Sequence, residues 1–192
     1  IKQLPKKVYD IDGKETIAKI KSRRDKLKEI AKKYYKRQAK TVYIVGTDKK
    51  DVFVIDRLND NETLITVTRK KDTIYKRTFS TKETKEIQLY GLNGDDTFNI
   101  KGKVKNGILI RLIGGQDNDT YTDESSVAGW SKKTKIYDYK SKKNTVNKSK
   151  ETADLRSDNY FRNTYNHRDI NNNTTLVFPN LGSNPDDGFF FG

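Results

Sequence analysis

Two short phrases hold the residues best suited to chemistry. The first is Gly91-Leu92-Asn93-Gly94-Asp95-Asp96-Thr97-Phe98, the second Gly114-Gly115-Gln116-Asp117-Asn118-Asp119-Thr120-Tyr121. Each runs from a glycine-rich turn through an acidic pair to an aromatic residue. Glycine permits the positive φ of a tight turn and leaves backbone carbonyls open. Aspartate adds hard oxygens, the donor type that Ca²⁺ takes. Asp95, Asp96, Asp117 and Asp119 are therefore the candidate metal ligands, and calcium the candidate cofactor. The same residues have a second use. Asp-Gly and Asn-Gly turns punctuate antiparallel sheets, and an aspartate caps such a turn without a metal.

Both phrases resemble the nonapeptide G-G-x-G-x-D-x-U-x of calcium-binding parallel β-rolls. Leu92 replaces a glycine in the first, Asp117 in the second. Gly46-Thr47-Asp48-Lys49-Lys50-Asp51-Val52-Phe53 has the same outline, and Asp72-Thr73-Ile74 and Asp138-Tyr139 are fainter echoes. Steps between Asp51, Asp72, Asp96, Asp119 and Asp138 are 21, 24, 23 and 19 residues. Such a spacing implies one solenoid turn per unit. The expected fold is mainly β: a solenoid-like stack of short strands, related to the parallel β-helix or β-roll, over 41–139.

The chain ahead of this stack reads as a linker over 1–13 and a helix from 14 to 38, within a capping segment 14–40. Asp12-Gly13-Lys14-Glu15 resembles a capping box. Ile17, Ile20, Leu27, Ile30, Ala31 and Tyr34 fall on one stripe, interrupted by Arg24, and the opposite face is Lys and Arg. Such a helix covers the open first turn of a β stack, or lies on a membrane surface or an RNA.

From Thr41 the period changes to two. Strands are expected at Val42–Ile44, Val52–Ile55, Leu64–Thr68, Thr73–Phe79, Ile87–Tyr90, Phe98–Ile100, Ile108–Ile113 and Lys135–Asp138. Ile108–Ile113 is the most apolar and belongs at the centre of the core. Leu64–Phe79 reads either as a hairpin or as two solenoid rungs. Trp130 is placed in a loop with its indole over one edge. Residues 140–192 read as a polar linker and an aromatic tail, the latter ending Phe189-Phe190-Phe191-Gly192, like a strand cut off in mid-element.

Hydrophobic residues make up 32 % and charged residues 34 %, enough for a modest core only. The chain has no Cys, which excludes disulfides and thiolate metal sites. It begins at Ile1 and contains no Met, and so reads as a processed or excised piece of a longer protein. The net charge of +14 favours anionic partners such as lipid phosphate, nucleic acid or an acidic protein.

Several features occur together in order: Ser22-Arg23-Arg24-Asp25, Tyr34-Tyr35, Val45-Gly46-Thr47-Asp48, the two Gly-Asp phrases, Ile136-Tyr137-Asp138 and Asn184-Pro185-Asp186-Asp187-Gly188. Together they resemble the connecting region of Gram-negative outer-membrane proteins that join a calcineurin-like metallophosphoesterase to a surface-antigen β-barrel. The resemblance covers most of the chain. It implies a segment in the periplasm or at the outer membrane, with the tail at the start of a missing barrel and neighbouring domains of the parent chain as partners. It implies no catalytic residue here.

The residues agree with that absence. His167 is the only histidine, in an asparagine-rich tail, and no Walker loop, nucleophile elbow or zinc pair is present. The expected role is a non-catalytic connector, with calcium stiffening its turns. One rival is a module binding a polyanion or lipid phosphate; nucleic acid is disfavoured because no recognition signature accompanies the charge. The other is a carbohydrate-active β-helix enzyme using Asp51, Asp96 and Asp119 stacked on successive turns.

Overall fold

A computed structural model describes residues 5–166, 181–184 and 188–191, the last two segments as backbone. The fold is mainly β with an N-terminal helix. The helix has three consecutive pieces: α1 (Lys6–Val8), a π-helical turn (Tyr9–Gly13) and α2 (Lys14–Gln38). Residues 6–13 are thus helical rather than a linker. Gly13 is itself in the αR region and α2 has no side-chain cap. The capping box fails because the chain is already helical at Asp12. The π turn seats the Tyr9 ring against Gly13, where a Cβ would collide with it.

The strands are β1 (Thr41–Val45), β2 (Val52–Asn59), β3 (Glu62–Arg69), β4 (Asp72–Ser80), β5 (Glu86–Leu92), β6 (Thr97–Lys101), β7 (Lys103–Val104), β8 (Leu109–Gly115), β9 (Thr120–Asp123), β10 (Ser126–Val127), β11 (Thr134–Tyr137), β12 (Thr145–Asn147) and β13 (Thr152–Asp154). A short helix α3 (Tyr160–Asn163) follows, then β14 (Leu181–Asn184) and β15 (Gly188–Phe191), which pair antiparallel.

A five-stranded sheet has the order β1-β5-β8-β11-β13, parallel throughout, with the apolar β8 at its centre. A six-stranded sheet has the order β12-β9-β6-β2-β3-β4. Its β2, β6, β9 and β12 are parallel, while β2, β3 and β4 form an antiparallel meander. The stretch Leu64–Phe79 is therefore a hairpin. Its turn takes positive φ at Lys70, and its outer strand β4 ends the sheet with charged, exposed residues, which discourages further pairing. The pair β7–β10 forms a small parallel sheet of its own.

Register explains the sequence period. Ile44, Leu89, Leu112 and Ile136 occupy one inward column of the first sheet; Phe53, Phe98, Tyr121 and Val146 occupy one of the second. The inward faces of both sheets share one apolar core, joined by Ile65, Val67 and Phe79 of the meander. The aromatic column is stacked, with ring centroids 4.6 Å apart for Phe53–Phe98 and 5.0 Å for Phe98–Tyr121.

Three expectations need correction. Residues 140–158 include β12 and β13, which continue both sheets instead of leaving them. Trp130 is fully exposed and packs over no edge. The stripe of α2 covers no sheet: no residue of the helix is buried, and Leu27, Ile30 and Tyr34 are more than half exposed. The helix touches the body near its C-terminal end, where Tyr35 donates to Glu83 at 3.0 Å.

Candidate functional site

The two Gly-Asp phrases fall on one corner, where the five-stranded sheet hands the chain to the six-stranded one. Gly46, Gly91 and Gly114 each come one residue after the in-register set Val45, Tyr90 and Ile113 of β1, β5 and β8. Gly114 is indispensable there. A Cβ at this position would strike the Asp119 carboxylate and the Tyr121 hydroxyl, and would lie 2.7 Å from Asp138 Oδ2. One position on, Leu92 and Gly115 pair, and both take positive φ (81° and 106°). Gly94 and Asp117 also share positive φ (104° and 69°). The two departures from the glycine pattern, Leu92 and Asp117, thus keep the turn conformation without the residue that adopts it most easily.

The aspartates form a ladder. The Asp51 N–H donates to Asp96 Oδ1 at 2.7 Å, the Asp96 N–H to Asp119 Oδ1 at 2.8 Å, and the Asp119 N–H to Asn144 Oδ1 at 2.7 Å. Each side chain therefore holds the backbone of the preceding unit. Asp51, Asp96 and Asp119 are all at most 1 % exposed. A second, exposed ladder runs beside it: Asn118 N–H to Asp95 Oδ1, Lys143 N–H to Asn118 Oδ1, and Gly94 N–H to Asp117 Oδ2.

Burial governs the charge of this corner. It pushes Asp96 up to about 7 and Asp119 up to about 8, because a buried carboxylate loses its hydration. Backbone N–H donors pull both back only in part. Asp138 rises to about 6 for the same reason, although it accepts from the Tyr121 hydroxyl at 2.8 Å and the Tyr139 N–H at 2.6 Å. Tyr121 itself is driven well above the usual phenol range by burial and by Asp138 and Asp119. One oxygen each of Asp96 and Asp119 lacks a hydrogen-bond partner. A proton on that oxygen removes the charge that would otherwise be stranded there.

These residues do not fit Ca²⁺ as arranged. All four proposed ligands accept a backbone N–H, and among the described residues no group of three or more His, Cys, Asp or Glu converges on one point. Asp51, Asp96 and Asp119 do stack on successive units, as the enzymatic reading requires, but their carboxyl groups are closed to solvent. Asp72 and Asp138 are not on the ladder. Asp72 opens β4 in the hairpin, and Asp138 stands in line with the glycines, one residue beyond the Tyr137–Ile113 pair. His167 lies outside the described residues.

Two polar residues escaped sequence reasoning. Asn144 ends the ladder inside the stretch read as a linker. Its signal is the shared run of ladder residue, Thr and core residue: Asp96-Thr97-Phe98, Asp119-Thr120-Tyr121, Asn144-Thr145-Val146. Arg57 is 2 % exposed and clamps a different corner. Its guanidinium donates to the Ile108 carbonyl at 2.8 Å and the Lys133 carbonyl at 3.1 Å, tying β2 to the residues that lead into β8 and β11. Burial lowers it to about 10, against Asp123 and Glu151, which support its charge. The alternation Phe53, Ile55, Arg57 along β2 was the available signal.

The outer face of the five-stranded sheet carries a smaller feature. Glu86 pairs with Arg111 at 2.7 Å, and Arg111 also donates to the Tyr137 hydroxyl at 2.5 Å. Beside them α3 leaves a cleft of about 190 Å³, lined by Tyr90, Asn93, Gln116, Tyr160 and Tyr165 among others. Ligand pockets are commonly about 300–1,000 Å³, so this one is undersized. Compared with known proteins, the chain matches no family model, no curated protein and no solved structure.

Proposed function

We propose that this chain is a non-catalytic connector, built as a short β-solenoid that sets the spacing of the segments on either side. The solenoid reading rests on register. Columns such as Val42, Ile87, Ile110, Thr134 and Thr152 stack one residue from each successive unit, with the hairpin β3–β4 as an insertion in the first. The observation that carries the connector role is the inward ladder. The buried aspartates Asp96 and Asp119 hold the backbone of the preceding unit, and their carboxyl groups are closed to solvent.

Placement in a cell envelope, with neighbouring domains of the same parent as partners, rests on the likeness to outer-membrane connector regions. Among the described residues no helix is long and apolar enough to cross a membrane; that says nothing of a barrel outside them.

The enzymatic rival is tested by incubating the chain with polyuronates and neutral polysaccharides and following new reducing ends. The connector reading expects no release above blank. A product series lost in Asp119→Asn would replace it. The expectation that calcium stiffens the turns of the connector is tested by unfolding in EDTA and then in millimolar Ca²⁺. An unchanged midpoint is expected, whereas a large rise would mean that Asp95, Asp96, Asp117 and Asp119 leave the backbone for the metal.

A further inference from the structure

Helix α2 presents an apolar stripe that no described residue covers, and a dense positive charge. Eleven of its 25 residues are Lys or Arg and three are Asp or Glu. Projected at 3.6 residues per turn, Ile17, Ile20, Leu27, Ile30, Ala31, Tyr34 and Tyr35 share one face. Lys21 and Lys28 border that face on one side, Lys19 and Arg37 on the other. Glu15, Asp25 and Glu29 lie on the pole opposite the stripe, where Glu15 and Glu29 pair with Lys19 and Lys33 one turn on. Arg23 and Arg24 also fall within the face, one on either side of its midline, and Lys32, Lys33 and Lys36 share the far pole with the acidic residues; the face is therefore apolar along its midline and cationic on both flanks.

This sorting separates three occupants. A second copy would pair the stripes as a coiled coil. Ile17, Arg24, Ala31 and Gln38 then fill one core position, and Ile20, Leu27 and Tyr34 the other. Arg24 and Gln38 break that seam, Ala31 leaves it shallow, and Arg23, Lys21 and Lys28 at its borders repel their counterparts. A nucleic acid answers to the charge but leaves Ile20, Leu27 and Ile30 in water. An anionic bilayer answers to both. Its acyl boundary accepts an apolar face without matched knobs, and its phosphates meet lysines whose long stems reach outward from that face. Tyr34, at the end of the helix nearest the β body, is of the type that sits at headgroup depth, while Tyr35 beside it is held by Glu83.

We propose that α2 is a docking element for an anionic phospholipid surface. It lies in the interface with Ile17, Ile20, Leu27, Ile30 and Tyr34 inserted, and holds the β body beside the membrane. This is independent of the connector reading, which concerns the sheets alone.

The test is co-sedimentation of the full chain with phosphatidylcholine vesicles, with and without phosphatidylglycerol, over a salt series. Binding is expected only with phosphatidylglycerol, weakening as salt rises. Leu27→Glu should lower the partition by roughly tenfold or more, and Lys21→Glu with Lys28→Glu by a comparable factor. Circular dichroism should show the β body unfolding at the same temperature in every variant, because no α2 side chain is buried in it. Absence of binding to the anionic vesicles overturns the proposal. So does binding unaffected by Leu27→Glu, which is capture by charge alone and would extend to nucleic acid. A concentration-dependent dimer abolished by Leu27→Glu would assign the stripe to a second copy instead.

Discussion

At the residue scale the acidic corner is an exercise in keeping carboxyl groups dry. Asp96 and Asp119 bind protons more tightly in the folded chain than at their ordinary value of 3.8. The folded state therefore holds extra protons at intermediate pH, and linkage gives the sign. Their contribution is complete below about pH 4 and is lost as pH rises through about 7 and 8. Asp154 acts oppositely. Arg156 and Lys148 hold it well below the usual carboxylate range, so its contribution fades only in acid. Urea unfolding from pH 5 to pH 9 should show stability falling across that interval. A rise over the same range would mean that the ladder carboxyl groups are not buried as described. Leu92 offers a second check. A left-handed conformation costs a non-glycine residue about 1 kcal/mol, so Leu92→Gly should gain roughly that amount. Asp117→Gly should gain less, because it also loses the bond from the Gly94 N–H.

At the element scale the outcome depended on what each pattern reports. The helical period marked the C-terminal end of α2 but not the start of the helix, which lies at Lys6, and periodicity reveals a two-faced helix and not what covers it. Among the described residues the expected cap is an open arm. A chain lacking residues up to Gln38 should therefore unfold at an unchanged midpoint in circular dichroism. The central strands were readable because Phe98, Ile110 and Leu112 are wholly buried. Phe98 stacks between Phe53 and Tyr121, and Phe98→Ala should cost about 3–5 kcal/mol in denaturant titration. Strands β12 and β13 were not readable. They are three residues each, mostly polar, and are held by backbone pairing and by Asn144 and Thr152. Neither leaves a hydrophobic signature. The hairpin was ambiguous because both readings of Leu64–Phe79 alternate alike. Only the partners decide between them: β3 pairs antiparallel with β4, and with β2 on its other side.

At the scale of the molecule, charge and chemistry are separated. The charge is densest on an exposed helix, while the aspartates that drew attention in the sequence are inside, stitching one unit to the next. Their spacing was readable because units stack in register and the ladder side chain must recur at the same corner. Their role was not, since a Gly-Asp turn has the same composition whether its carboxylate faces a metal or a backbone N–H. Asn144 shows the difference. An amide does there what a carboxyl does in the units before it, so the position requires an acceptor oxygen and not a charge.

That distinction can be measured directly by comparing Asp96→Asn and Asp119→Asn with the corresponding alanine variants in urea unfolding at pH 5 and pH 9. Each alanine leaves a buried N–H without an acceptor and should cost about 1–3 kcal/mol. The asparagine variants keep the acceptor and lose the titrating group. They should be close to the parent at pH 5, more stable than it at pH 9, and less sensitive to pH between. If asparagine is as damaging as alanine at both pH values, and Ca²⁺ raises the midpoint of the parent alone, the ladder is a metal site and not a clamp on the backbone.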